Sequence, residues 1–387
     1  MAKILYGNIS LIARTGTEVV TIETVRGLQR RGHEVAVFVG RIGPTAQQLH
    51  DAGIPVLTSL NNLPWTPDIV HSNHLIQSLT AAGAVPDVPQ VFCCHDSDNW
   101  HSAPPQLSLV RRLVAVDDLC EARLRTTAIR PLPPIVRLTN AVDLERFPQR
   151  EALPQRPQRA LALTKHSAHL DELHKVCVAN SIQLDVLGPG AGQVVDDLPS
   201  RLPHYDIVFA TARMALEALA VGCAVVVADG RGLAGMVNSL NASVWRRDNY
   251  GKRLLTTHIT AKAIQQAIDR FDHEDARRVS NWIRENASLN DSLRELEQIY
   301  SDAMADFQAK PIPIRQTLAE LPNAFQAVMA HTGIAHTAAI EEIFCRLEAT
   351  KVLENRINQL ERERSQETSR SALFRRWLRL VFQGKKV

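Results

Sequence analysis

Ala212 to Val237 reads ARMALEALAVGCAVVVADGRGLAGMV, and its reading decides the fold. Met214, Ala215, Leu216, Ala218 and Leu219 are strong helix formers, and Glu217 is the only acid among them. Gly222 stands where such a helix ends, because glycine accepts the left-handed conformation past the last turn. Cys223 to Ala228 is a continuous apolar run rich in valine, the pattern of a strand buried on both faces of a parallel sheet. Asp229 to Gly232 then turns at the carboxyl end of that strand, where open α/β sheets bind ligands.

The same grammar extends outward in both directions. Asp206 to Ala210 (DIVFA) is a strand leading into the helix. Near the amino terminus, Lys3 to Tyr6 is a strand, Gly7 to Gly16 a glycine-bearing loop, and Thr17 to Arg31 a helix capped by Thr17 and stopped by Gly32. His33 to Val39 is the next strand, which completes a βαβ unit of a doubly wound sheet. A helix amino terminus offers unpaired N–H groups, and Gly16 lets a phosphate or hydroxyl approach them. Further strands fall at Gly53 to Leu57, Pro67 to His74 (ending in polar residues), Gln90 to Cys94 and Leu113 to Asp117. Pro148 to Gln158 (PQREALPQRPQ) is a proline-rich linker. Beyond it lie a strand at Arg159 to Thr164, a helix at Asp171 to Asn180 and a strand at Ile182 to Leu187. The expected fold is α/β: two Rossmann-like domains over 1–147 and 159–308, and a helical extension over 309–387.

With 387 residues, 45% of them hydrophobic, the chain can bury two cores, and a formal charge of +3 implies no polyanion or nucleic-acid partner. Its six cysteines lie mostly in apolar runs without CxxC spacing, which suits reduced core thiols of a cytoplasmic protein. His71 and His74 have no carboxylate or cysteine at ligand spacing, so no metal site is expected. The opening residues lack signal-peptide character, and no apolar run reaches the ~18–20 residues of a membrane span. Ala335 to about Arg364 has helical period with an apolar stripe, suited to a short coiled coil or homodimer. Residues 370–386 interleave Arg and Lys with Leu, Phe and Trp, which suits docking on an anionic membrane surface, or against the protein or its twin.

The opening stretch resembles the signature of nucleotide-sugar glycosyltransferases of the GT-B fold, in particular glycosyltransferase family 4. Glu217, Ala218, Ala220, Gly222, Val225, Val226 and Gly232 match that pattern, whereas Phe209 holds the place of the family's first glutamate and Ala224 that of its proline. The phrase GTEVVTIETVRGLQRRGHEVAVFV, the segment Pro67 to His74, the strand ending in His95-Asp96, and Asn140, Val142, Asp143 and Phe147 are similar to further family segments. The stretch between Gly188 and Glu217 is short for the pattern, which predicts a second sheet trimmed by a helix and a strand.

The resemblance implies two domains facing across a cleft. It also implies transfer of a sugar from a nucleotide-sugar, UDP favoured over GDP, to a glycan or lipid-linked acceptor. Transfer would be retaining, of the hexosyltransferase type, in envelope polysaccharide synthesis, with no further cofactor and no protein-held metal. It places His95, Lys165 and Glu217 as catalytic residues, and Gly16, Lys165, Gly188, Gly190, Glu217, Gly232 and Leu233 against the donor. A carboxylate such as Glu217 can accept from both ribose hydroxyls at once. Arg213, one helical turn earlier, shares its face and is expected to meet phosphate. A competing expectation is a catalytically degenerate GT-B protein that binds a glycan or partner without turnover, favoured by Phe209, by the single lysine near the expected diphosphate and by the trimmed second domain.

Overall fold

The computed structural model describes residues 1–13, 15–127, 131–165, 167–188 and 197–332, with side chains through 326. Gly190, the Ala335 to Arg364 helix and the basic stretch 370–386 lie outside the described residues.

The first half builds one sheet. Its elements are β1 (Lys3–Leu11), α1 (Gly16–Arg30), β2 (Glu34–Ile42), α2 (Gln47–His50), β3 (Val56–Leu57), β4 (Ile69–Ser72), α3 (Leu75–Ala84), β5 (Gln90–Cys94), β6 (Val110–Ala115), α4 (Asp118–Thr127) and β7 (Ile135–Arg137). The strands run in the order β3-β2-β1-β4-β5-β6-β7, and every pairing is parallel. Chain order reverses between β1 and β4, which opens a crevice at their carboxyl ends. The sequence expectation of Thr17 as the helix cap is corrected here: Thr15 is the N-cap, and Glu18, three residues on, accepts from its backbone N–H at 3.1 Å.

The second half builds another sheet from β8 (Arg159–Leu163), α5 (Leu170–Ala179), β9 (Gln183–Leu187), α6 (Leu198–Arg201), β10 (Ile207–Ala210), α7 (Ala212–Val221), β11 (Ala224–Asp229) and β12 (Gly232–Met236). The order is β12-β11-β10-β8-β9, reversing between β8 and β10. Every residue of β11 is buried, as its unbroken valine run requires. Gly222 ends α7 at φ 103°, the conformation glycine adopts without Cβ strain. Asp229 to Gly232 turns as the sequence reads, and the chain then continues as the strand β12, antiparallel to β11. Leu233 also exchanges backbone hydrogen bonds with Thr257, at 2.9 and 3.1 Å. A Cβ on Gly232 would lie 2.8 Å from the Leu255 carbonyl oxygen, so glycine there serves this close backbone approach.

Four helices follow: α8 (Ala242–Arg246), α9 (Ala261–Ile268), α10 (His273–Asn286) and α11 (Leu289–Ala309), and α12 (Ile314–Thr332) closes the described chain. Although the sequence reading ends the second domain at 308, Leu293, Leu296, Ile299 and Tyr300 of α11 belong to the core of the first sheet. The chain crosses between the two halves at Val142 and again at Ala287 to Leu289. The two crossings pair through Val142 N–H to Ala287 O and Leu289 N–H to Val142 O, both 2.8 Å. No described helix is long and apolar enough to cross a membrane.

Gly188 ends the β8–β9 pairing at φ +115°, and a Cβ there would fall 2.4 Å from the Thr164 carbonyl oxygen. Gly188→Ala combines left-handed strain with a backbone clash, so it is expected to cost roughly 2–4 kcal/mol, read as a lowered urea midpoint. Unchanged stability would show that this strand end has room to relax.

Candidate functional site

The carboxyl ends of both sheets face each other across a cleft of about 560 Å³. Its first-domain wall starts at the loop after β1 and the amino terminus of α1. Glu18 organises this loop: its buried carboxylate accepts from Ser10 Oγ at 2.8 Å, Ile12 N at 2.9 Å and Thr15 N at 3.1 Å. With those donors spent on Glu18, the loop holds its shape, and Gly16 lines the cleft with nothing within 4 Å of where a Cβ would stand. The amino terminus of α1, the positive end of a helix dipole, thus lines the cleft through Thr15, Gly16 and Thr17.

His95 follows β5 and is half-buried in the same wall. Burial pulls its pKa down to about 4, so it is neutral at pH 7. His74, which accepts from Ile9 N–H at 3.1 Å through Nδ1, lies beside it and is lowered to about 3 by burial. Next in the chain, Asp96 folds the following loop by accepting from the Asp98 and Asn99 amides at 2.6 and 2.9 Å. Trp100 packs against the core of the first sheet.

From the second domain, Lys165 reaches the cleft at the end of β8, exposed and without an ion pair among the described residues. Arg231, at the tip of the β11–β12 hairpin, lines the cleft while holding Asp229 through Nε at 3.1 Å and Nη2 at 2.5 Å. Burial works against the Asp229 charge, but the bonds from Arg231 outweigh it and hold the carboxyl below its ordinary value. Lys252 pairs across the cleft with Asp98. Ala212, the first residue of α7, lines the cleft with φ 53°, a conformation that costs a non-glycine residue about 1–2 kcal/mol.

Arg213 and Glu217 sit at the seam of the two domains. Arg213 Nε donates to Glu217 Oε1 at 2.8 Å, and its Nη2 pairs with Glu23 of α1. Glu23 is also held by Arg146 at 2.8 Å. Arg213 is disfavoured by burial, but the two carboxylates more than offset that and raise its pKa. Burial raises the pKa of Glu217, Arg213 opposes the rise, and Glu23 adds to it.

The cleft therefore brings together Gly16, His95, Lys165 and Arg213. Glu217 lies one turn behind Arg213, its side chain buried and bonded to that arginine. Gly188, Gly232 and Leu233 do not line the cleft: the two glycines accommodate close backbone neighbours, and Leu233 is core. Phe209, at the place of the family's first glutamate, is also core at 1% exposure. Sequence reasoning missed Glu23, Asn73, Arg231 and Lys252. Glu23 carries a faint signal, an acid on an otherwise apolar and threonine-lined stretch of α1, and Arg231 another, a cation in the turn at the carboxyl end of a buried strand. Among the described residues no group of three His, Cys, Asp or Glu has metal-holding geometry.

No protein-family model and no curated protein sequence matches the chain. Solved structures do match its fold. HepE from Anabaena, in complex with UDP-glucose, is 14% identical with a TM-score of 0.53, the alignment covering 78% of this chain and 100% of that one. Sucrose-phosphate synthase from Thermosynechococcus elongatus is 13% identical with a TM-score of 0.52, covering 79% and 100%. With two mostly parallel sheets set carboxyl end to carboxyl end and a closing helix returned to the first core, the chain has the GT-B fold.

Proposed function

We propose that the chain is a glycosyltransferase that takes its sugar from a nucleotide-sugar, UDP-linked in preference to GDP-linked. The observation that carries this reading is the meeting of Gly16, His95 and Lys165 in one cleft between two Rossmann-like domains. The diphosphate would lie between the α1 amides and Lys165, where positive charge meets the charge that develops on the departing nucleotide. The sugar would lie toward neutral His95, which suits a hydroxyl rather than a phosphate. An acceptor hydroxyl attacks the anomeric carbon as the bond to the diphosphate breaks. The remaining parts of the proposal are a glycan or lipid-linked acceptor, net retention, independence of protein-held metal, a role in envelope polysaccharide synthesis, and work at the cytoplasmic face of a membrane. They rest on the family 4 resemblance and the basic composition of 370–386.

The fold of HepE, whose structure holds UDP-glucose, supports the donor class. A second reading, binding without turnover, is favoured by buried Phe209 and by the engagement of Glu217 with Arg213. Thermal-shift titration with UDP, GDP, CDP, ADP and their common sugars separates these. A ligand that binds only the native state raises the melting temperature with concentration. UDP-glucose or another UDP-sugar is expected to do so, followed by release of UDP in the presence of acceptor. No shift with any nucleotide would overturn the donor assignment and favour the second reading, binding of a glycan or partner without turnover.

A further inference from the structure

Behind His95 runs a chain of buried polar groups that ends on the helix returned from the far end of the fold. The Tyr300 hydroxyl of α11 lies 2.9 Å from His71 Nδ1. His71 Nε2 lies 3.1 Å from Asn73 Oδ1, and His95 Nε2 lies 3.2 Å from that same oxygen. Tyr300, His71 and Asn73 are each at most 2% exposed, so water does not compete for these groups.

The direction of every bond follows from the neighbours of the Asn73 amide. Thr21 gives its hydroxyl proton to the Thr17 carbonyl at 2.8 Å, so toward Asn73, 3.3 Å away, its oxygen can only accept. Asn8 gives its amide nitrogen to the Ser10 carbonyl at 2.8 Å, which leaves its oxygen facing Asn73 at 3.4 Å. Tyr6 Oη lies 3.4 Å from both the oxygen and the nitrogen of Asn73 and so favours neither orientation. Thr21 and Asn8 therefore decide it: both call for the Asn73 nitrogen on their side, and the Asn73 oxygen turns to the two histidines. An oxygen accepts, so each histidine carries its proton on Nε2. For His71 this leaves Nδ1 as the acceptor that Tyr300 requires. For His95 it leaves Nδ1 without a proton; no described residue bonds that nitrogen, and it is not among the sealed polar atoms. His95 lines both the main cleft and a cavity of about 50 Å³ beneath it.

We infer that Asn73, backed by His71 and Tyr300, is a positioning residue that holds His95 as the Nε2–H tautomer, so that its Nδ1 presents a hydrogen-bond acceptor to a ligand hydroxyl in the cleft. Such an edge accepts from a sugar or acceptor hydroxyl and offers nothing to a phosphate oxygen. The relay deepens the donor reading above, but its geometry stands without it.

The test is a long-range proton–nitrogen correlation spectrum of the full-length chain labelled with nitrogen-15 histidine, at pH 7, the His95 signals being assigned from His95→Gln. The wild type is expected to show His95 and His71 each with a protonated Nε2 and an unprotonated Nδ1. Asn73→Ala is expected to collapse the His95 pattern toward a tautomer average. Asn73→Asp, which keeps the acceptor oxygen, should retain the tautomer and raise the His95 pKa. Tyr300→Phe, which changes no shape, serves if Asn73→Ala does not fold: it should release His71 to mixed tautomers. An averaged or Nδ1-protonated His95 in the wild type would overturn the inference, as would an unchanged His95 pattern in folded Asn73→Ala. UDP-glucose is then added as a probe. The expected tautomer with no Nδ1 response would support the relay and count against the donor reading, so the two fail separately.

Discussion

Arg213→Ala is expected to destabilise the protein by about 3–5 kcal/mol at pH 8, and by visibly less at pH 5. Among the described residues Arg213 is the only cation bonded to Glu217, and it shares Glu23 with Arg146. Removing it leaves two buried carboxylates, at 6% and 5% exposure, facing each other across the domain seam. That is the costly way to break a buried charge network, because the desolvation of Glu217 is no longer offset by a bonded cation, while Glu23 keeps Arg146 alone. The pH dependence follows from the direction of the Glu217 shift. Burial first, then Glu23, raises its folded pKa above the ordinary value, so between the two values the native state holds more protons than the unfolded chain. Stability from this group is complete at low pH and lost as pH climbs through the raised folded value. Without Arg213 the rise is larger and the loss deeper. Urea denaturation at pH 5 and pH 8 reads it. Equal losses at both pH values would mean that the seam admits water. Arg213→Ala combined with Glu217→Gln is expected to recover part of the deficit at pH 8.

Lys165→Ala is expected to weaken UDP-glucose binding by roughly 10- to 100-fold, the worth of one charge-assisted hydrogen bond of about 1.5–3 kcal/mol. The same change should leave stability within about 0.5 kcal/mol, because Lys165 is exposed and has no ion pair among the described residues. Arg231 is poised nearby but already occupied by Asp229, and Lys252 by Asp98, so neither substitutes freely. Isothermal titration with UDP and UDP-glucose reads the effect. Lys165→Arg should restore most of the affinity, since it keeps the charge. An unchanged affinity in Lys165→Ala would move the diphosphate away from β8, toward Arg231 and Lys252.

These two residues differ in how plainly the sequence announced them. Lys165, His95 and Gly16 were placed by the family resemblance, each after a strand end or at a helix start, and the structure sets all three on the cleft. Arg213 and Glu217 were read as a pair on one helix face, which the 2.8 Å bond between them matches. Their third partner, Glu23, is 190 residues from Arg213 and was not read, because no local period relates the two domains. Gly188 and Gly232 read as ligand-cradling glycines, yet the structure sets against them the backbone oxygens of Thr164 and Leu255. A glycine signals close approach without saying what approaches.

By itself the sequence determined α1, α5, α7 and most strands of the two mostly parallel sheets, since the apolar runs, the 3.6-residue period and the glycine stops are local consequences of burial and backbone sterics. It also determined which strand ends carry polar residues, and hence where a cleft forms. Tertiary structure alone decided the rest. It turned Gly232 to Met236 into an antiparallel strand, because Leu255 to Thr257 lies alongside. It returned α11 to the first core, so that Tyr300 meets His71. It also joined Glu23 to Arg213 across the seam. Each of these depends on groups brought together from distant parts of the chain, whose pairing is set by packing and desolvation in three dimensions rather than by any spacing along the sequence.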